Sequence, residues 1–569
     1  MAHNAGEAIV ETLAARGVRR FYTVPGESFL EVLDAVEQDP RLQLVSCRHE
    51  SGAAFMAEAE GKLTGRPAVA MGTRAVGAAN LAIGVETAWE DCTPLIALCG
   101  QVETGSLGRR AFQEVDLPAF LGQVSVHAET LLRADRAAEA AARAHWAATS
   151  GRPGPAVLAL PADVLAEPCP PDAPLLVPGR RARTRPDDAC LDDVAALLAS
   201  AARPVAVLGL GAQQARADVI ALVERFGLGV YTAFRRQDAF PNSHPQYLGH
   251  LSLGTPPELV AALAGADLVL ALGARLDDTT TQGFRLPGPT SRVIHVDLDP
   301  RALRAPVTLA WSISADVAGF AQALLDRVQA VAATTVAVRD WSAEHTTYLR
   351  LSTPPEGAGG GNGSAGTGPA AGLHPGQVLG AMRRRLPADV VLTNDAGNFS
   401  VFCHRYWRFE HPRTQLGPIS GAMGYGVPAA VGAGLAEPGR PVVALAGDGG
   451  FLMTGQELET AVRQGVPVLV VVFQNGLYGT IAMHQAREFG RTAAVDIGPV
   501  DLAGYARSLG AQAVTLDAPQ ELDDAFAEAS RFDQPRVIVV RTDPDVLTPA
   551  ATLSGLLGGQ SRAGSTGGA

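Results

Sequence analysis

Short, unbroken runs of branched apolar residues recur along this chain, each followed by a stretch with amphipathic helical spacing. Leu42–Ser46, Ala68–Met71, Leu95–Leu98 and Ala156–Ala159 come first, then Val205–Leu208, Leu268–Leu272 and Val293–Val296. Val390–Leu392, Val442–Leu445, Val468–Phe473 and Val537–Val540 close the series. A strand with one wet face alternates apolar and polar residues. These runs do not alternate, so both faces are buried, as they are when helices cross over a parallel sheet. The pattern predicts an α/β chain of doubly wound parallel sheets, whose ligands bind at the carboxyl ends of the strands. None of the runs is long enough to span a bilayer.

Two loose stretches divide the 569 residues. Residues 166–187 are rich in Pro and Arg. Residues 352–372 hold Pro354, Pro355 and a glycine-rich run from Gly357. Both read as linkers, and the Gly- and Ser-rich tail beyond Leu557 reads as disordered. Three domain-sized blocks remain, 1–165, 188–350 and 373–548. The formal net charge of -12 argues against nucleic acid and anionic membrane surfaces as partners. Met1-Ala2-His3-Asn4 shows no basic region leading into an apolar run, so a cytoplasmic chain without a secretory leader is expected. Cys47, Cys92, Cys99, Cys169, Cys190 and Cys403 form no CxxC pair and read as buried free thiols.

The strongest chemical signal lies in the third block. The run from Val442 leads directly into Gly447-Asp448-Gly449-Gly450. Glycines there permit tight turning and close approach of backbone to a ligand. A helix is expected from Gln456 to Gln464. The next run ends at Gln474-Asn475-Gly476-Leu477-Tyr478, 27 residues after Asp448. A strand–helix–strand unit of that length brings the two strand ends together. A carboxylate, an amide oxygen and a backbone carbonyl then form a hard oxygen site suited to Mg²⁺. Taken alone, the glycines and Asp448 read as a turn.

The pairing resembles the thiamine diphosphate motif, GDG followed by Asn at the end of the next strand. The resemblance implies that Asp448, Asn475 and the carbonyl of Leu477 bind the metal. In the first block, Leu42 to Glu50 reads as a strand ending in an acid at a strand–helix junction. Burial there favours the neutral carboxylic acid. Thiamine chemistry needs such a group to exchange a proton with the aminopyrimidine ring. An acid at a helix N-terminus, stabilised by the dipole, is the alternative.

Further matches appear in family order. They are Val24-Pro-Gly-Glu-Ser-Phe, Arg48-His-Glu-Ser-Gly-Ala-Ala, Phe112-Gln-Glu-Val-Asp, Gly273-Ala-Arg-Leu-Asp-Asp, Val296-Asp-Leu-Asp-Pro and Gly421-Ala-Met-Gly-Tyr-Gly-Val-Pro. On these the chain resembles the acetolactate synthase large-subunit group over nearly its whole length. The resemblance implies pyrimidine-binding, central and diphosphate-binding domains, and a homodimer or homotetramer with active sites shared between chains. By position it implies that Met423 supports the bent cofactor and that Gly397, Asn398, Phe399, Gly447, Gly449, Gly450 and Tyr478 contact it. Gln113 falls near the reacting carbon.

The substrates implied are a 2-oxo acid and a carbonyl acceptor. Departures fall at pocket positions. Arg74-Ala75-Val76-Gly77 replaces Ser-Gly-Pro-Gly, and Thr480, Ile481 and His484 stand where the group carries other residues. The cofactor is therefore read more firmly than the pyruvate-to-acetolactate reaction. Simple decarboxylation, carbon–carbon cleavage or hydrolysis, and a degenerate binding scaffold stay open as alternatives. In the central block Gly209-Leu210-Gly211 follows a strand, but Gln214 replaces the third glycine of a dinucleotide fingerprint. A nicotinamide oxidoreductase rests on that fragment alone. Acetolactate synthases hold a structural FAD in this domain and Arg275 is compatible with one, while many thiamine relatives lack flavin.

Overall fold

The computed structural model describes residues 4–169, 179, 182–304, 306–330, 339–355 and 372–563. Half of the first expected linker and most of the second lie outside these residues, as does the end of the chain beyond 563. Three six-stranded parallel sheets form, as the unbroken apolar runs require. The first runs, in space, Gln43–Ser46, Arg20–Thr23, Ala68–Thr73, Leu95–Gln101, Pro155–Pro161, His127–Thr130. The third runs Gln415–Leu416, Val391–Asn394, Val442–Gly447, Val468–Gln474, Arg536–Arg541, Gln512–Leu516. Counted along the chain, both read 2-1-3-4-6-5, so the two outer domains share one plan. The central sheet runs Leu309–Ser314, Arg292–Asp297, Leu268–Leu272, Pro204–Leu208, Gly229–Thr232, Tyr247–His250. That is the strand order of dinucleotide-binding folds.

Every apolar run forms a strand. The strands that sequence missed are short or carry polar residues, such as Arg20–Thr23, His127–Thr130 and Gln512–Leu516. Three corrections follow. The strand before Glu50 ends at Ser46, and the helix Glu50–Thr64 starts after a three-residue turn. The stretch beyond Leu557 belongs, through Ala563, to a helix Leu553–Ala563 rather than to a disordered tail. A small antiparallel hairpin, Val546–Thr548 with Ala551–Thr552, precedes that helix. All six cysteines are free, though Cys92 is only half-buried. Among the described residues no helix is long and apolar enough to cross a membrane.

The outer domains meet through two helices, Glu50–Thr64 and Gly426–Ala436, and one apolar core runs through both domains. The approach needs glycine. A Cβ on Gly432 would lie 2.4 Å from the Met56 carbonyl oxygen. Beside this seam a buried ionic cluster joins all three domains. Lys62 Nζ lies 3.1 Å from Glu58 and 3.0 Å from Asp91, and Arg236 of the central domain lies 3.1 Å from Asp91. Tyr425 of the third domain donates to Glu58 at 2.7 Å.

Candidate active site

In the third sheet Gly447 pairs with Phe473, so the two central strands end side by side. Asp448 follows the end of the first of these strands, as expected, and begins a short helix, Asp448–Thr454, that the sequence did not show; the expected helix after it spans Glu457–Gln464. Asp448 is 3% exposed. Its Oδ1 accepts from Gly449 N at 2.9 Å, and its Oδ2 from Asn475 N at 3.1 Å and Gly476 N at 2.7 Å. Burial raises this carboxyl above the usual range, and those three N–H donors oppose the rise. Three accepted bonds leave about one of four acceptor sites open. Asn475 Oδ1 accepts from Leu477 N at 3.0 Å, which folds Asn475 and Leu477 together. Among the described residues no three His, Cys, Asp or Glu side chains cluster. A cation here would rest on one carboxylate, an amide, a carbonyl and the oxygens of its ligand, a donor set that fits Mg²⁺.

The walls beside Asp448 are built for close approach. Gly397 adopts φ 150°, open to glycine, and Asn398 starts the helix Asn398–Tyr406. Asn398 Nδ2 is buried without a hydrogen-bond partner among the described residues. A Cβ on Gly449 would lie 2.7 Å from the Tyr478 ring, and one on Gly447 would lie 3.2 Å from Phe399. Helix N-termini, bare glycine backbone and an unpaired amide donor together fit a diphosphate. These groups line a cavity of about 710 Å³ at the point where the strand order of the third sheet reverses. It brings together Gly397, Asn398 and Phe399, then Gly447 to Gly450, then Asn475, Leu477 and Tyr478. Met423 lines it too, as do Thr480, Ile481 and His484 from the helix Gly479–Phe489. Thr480 Oγ1 donates to Asn398 Oδ1 at 2.9 Å, tying that helix to the cradle.

Glu50, Val76 and Gln113 do not line this cavity. They gather instead on the first domain. Glu50 is 9% exposed, and its Oε2 accepts from Asn80 Nδ2 at 2.9 Å. A Cβ on Gly77 would lie 3.4 Å from Glu50 Oε1. Ala75 N donates to the carbonyl of Gln113 at 3.1 Å, so the first turn of the helix Arg74–Asp91, which holds Val76, is joined to the loop of Gln113. Arg74 and Gln113 both hold φ in the left-handed region, 45° and 62°. Strain of this kind gathers at functional sites.

Several residues escaped the sequence reading. Asn80 holds Glu50. Glu457 accepts from the backbone of Arg48 and His49 at 3.0 and 2.9 Å, docking the Glu50 helix on the third domain. Asp395 closes the strand Val391–Asn394, and burial pushes its carboxyl up to about 7. The hairpin from Val546 to Ala551 also lines the cavity. Only Asp395 carried a signal, an acid at a strand end two residues before Gly397.

A second cavity, of about 470 Å³, opens at the switch point of the central sheet beside Gly209, Gly273, Arg275 and Asp297. Trp89 of the first domain lines it as well. The sheet order fits a dinucleotide. Three of the four arginines that line the cavity are tied to carboxylates, and the fourth, Arg152, donates to the Trp89 carbonyl at 2.6 Å. Arg275 is paired with Glu90 at 2.9 Å, Arg301 with Asp299 at 3.0 Å, and Arg236 with Asp91 at 3.1 Å.

Models of the thiamine pyrophosphate enzyme family match three regions of the chain. The N-terminal TPP binding domain matches residues 3–120, the central domain 191–324 and the C-terminal TPP binding domain 395–540. An acetolactate synthase of Mycobacterium bovis is 31% identical over 550 residues, 94% of this chain and 87% of the relative. A sulfoacetaldehyde acetyltransferase of Castellaniella defragrans is 31% identical over 551 residues, 92% of this chain and 90% of the relative. Among solved structures, the thiamine diphosphate-dependent 4-hydroxybenzoylformate decarboxylase of Rhodococcus jostii RHA1 superposes with a TM-score of 0.81. It has 25% sequence identity and covers 95% of this chain and 99% of its own.

Proposed function

The chain belongs to the thiamine pyrophosphate enzymes, the family of the acetolactate synthase large subunits, and from that we propose a Mg²⁺-dependent carboligase that decarboxylates a 2-oxo acid and transfers its acyl unit to a carbonyl acceptor. The observation that carries the proposal is the pair Asp448 and Asn475, folded together at adjacent strand ends beside a glycine-walled cavity. Asp448 Oδ1, Asn475 Oδ1 and the Leu477 carbonyl would hold Mg²⁺. Gly397, Asn398, Gly449 and Gly450 would take the diphosphate on backbone and amide N–H groups, and Met423 and Tyr478 would support the rings. When bound, thiamine diphosphate supplies a carbon nucleophile and an electron sink for decarboxylation.

The chain's own contribution is orientation, proton transfer and exclusion of water. Glu50 would exchange a proton with the aminopyrimidine at its carboxyl oxygen, with Asn80 fixing the orientation of that carboxyl. Gln113 would face the reacting carbon. Because Glu50 and Gln113 stand apart from the cavity of their own chain, we propose that two chains share each site. Exposed apolar side chains flank both half-sites, Val76 (49% exposed) and Phe112 (75%) on one and Ile481 (51%) and Met453 on the other. Such surfaces favour burial between symmetric copies.

A decarboxylase or lyase without ligation is the second reading, favoured by the likeness to the 4-hydroxybenzoylformate decarboxylase. A panel of 2-oxo acids, each with and without an aldehyde or ketone acceptor, separates the two by product mass. Thr480 and His484 in the cavity predict poor coupling of two pyruvates and better use of a bulkier or more polar partner. Efficient acetolactate formation unmatched by any other pair contradicts that. FAD is the proposed ligand of the central cavity on its sheet order alone. Protein that stays colourless after incubation with FAD and desalting removes it.

A further inference from the structure

Met423 lies between Gly421 and Gly424, both in the left-handed region at φ 75° and 84°. Neither helix nor strand holds this segment. What holds it is a pair of side chains on Gly424. Thr454 Oγ1 donates to the Gly424 carbonyl at 2.6 Å. Gly424 N donates to both carboxylate oxygens of Asp395, at 2.8 and 3.0 Å. Asp395 Oδ1 also accepts from Ala396 N at 2.7 Å, at the head of the Gly397–Asn398 wall. On its other side the carboxylate rests against Gly450, where a Cβ would come within 2.3 Å of Oδ2. One carboxylate therefore touches three cofactor-facing segments that are far apart in sequence.

Arg235 of the central domain closes the arrangement. Its guanidinium donates to the Pro418 carbonyl and, at 3.4 Å, to the Asp395 carbonyl. It is buried, with its own backbone in the left-handed region at φ 55°. Burying a carboxyl is costly, and an apolar side chain here would avoid that cost but leave the buried Gly424 N–H without its acceptor. The carboxylate is explained by what it holds.

We propose that Asp395 is a positioning residue, which sets the height of Met423 against the diphosphate cradle and so fixes the shape in which the cofactor is bound. This rests on the reading of Met423 as the cofactor's support. The test uses the full chain with thiamine diphosphate and Mg²⁺. It reads cofactor affinity, the near-ultraviolet circular dichroism of the bound cofactor, and the rate at which the acidic thiazolium carbon exchanges its proton for deuterium. None of these needs the substrate.

In Asp395→Asn an amide replaces one acceptor and breaks half of the grip on Gly424. Exchange should slow by about 10²-fold, the scale of a 1 Å misplacement. Affinity should fall by a smaller factor, because Asp448 and Asn475 are intact, and the dichroism of the bound cofactor should change. Thr454→Val releases the other side of Gly424 without disturbing the buried charge, and should show the same signature in milder form even if Asp395→Asn folds poorly. Unchanged exchange in Thr454→Val, or exchange and affinity falling in step with unaltered dichroism, overturns the proposal. Failure of the unaltered protein to bind thiamine diphosphate overturns the reading beneath it as well.

Discussion

Two carboxyl groups, Glu50 and Asp448, are held in opposite ways. Glu50 Oε2, buried in the first domain, meets one side-chain donor, Asn80. Asp448 takes three backbone N–H groups inside a pocket. We propose the first for proton exchange with the cofactor and the second for holding a cation. Glu50→Gln should retain thiamine diphosphate but lose about 10²–10⁴-fold in turnover, the usual weight of a general acid–base group. Titration calorimetry with the cofactor and a turnover assay on the same sample check this. Near-normal turnover in the saturated variant sinks the assignment. Asp448→Ala should abolish the rise in melting temperature that Mg²⁺ and cofactor together give the parent, since ligands stabilise only the state that binds them. Equal rises in both proteins remove Asp448 from the site. The residues that sequence made legible are those whose chemistry sits in a contiguous motif, Gly447–Gly450 and Asn475–Tyr478. Asn80 was not legible as a site residue, because its role arises from a contact with Glu50, far from it in the chain, and Asp395 showed only as an acid at a strand end.

At the scale of elements, unbroken apolar runs were sufficient to locate the strands buried on both faces. Edge strands such as Gln512–Leu516 alternate burial and carry polar residues, so they lacked that signal. The helix that begins at Asp448 was also hidden, because Gly449 and Gly450 are poor helix formers. Only the tertiary contacts of the pocket stabilise that turn. The helix pair joining the outer domains is a sharper case. Gly432→Ala places a methyl against Met56 backbone and should destabilise by about 1–3 kcal/mol, the usual cost of overpacking. Chemical denaturation of the variant measures it, and an unchanged midpoint contradicts the close approach. Beside the seam, Lys62→Met leaves Glu58 and Asp91 short of a buried cation. Breaking such a pair by removing one partner costs about 3–5 kcal/mol. A loss within error of zero means that the cluster does not link the domains.

In the whole molecule, two outer domains share one plan beside a central sheet of dinucleotide order, and the proposed catalytic features divide between the outer two. The third domain carries the cavity proposed for the diphosphate and the cation, while Glu50 and Gln113 stand apart from it on the first. The motifs of both halves were legible in the sequence, and the family resemblance implied that they meet between chains; the docking of the domains within one chain was not legible. We propose above all that a second copy of the chain completes each site. Glu50→Ala and Asp448→Ala, each inactive, test it when their subunits are mixed in equal amounts and allowed to exchange. With sites shared between chains, about half the dimers are mixed, and each mixed dimer holds one doubly damaged site and one intact site. About a quarter of the sites should then recover turnover under two-fold symmetry. If each site lies within one chain, every site keeps a lesion, and absent activity after demonstrated subunit exchange would contradict sites shared between chains.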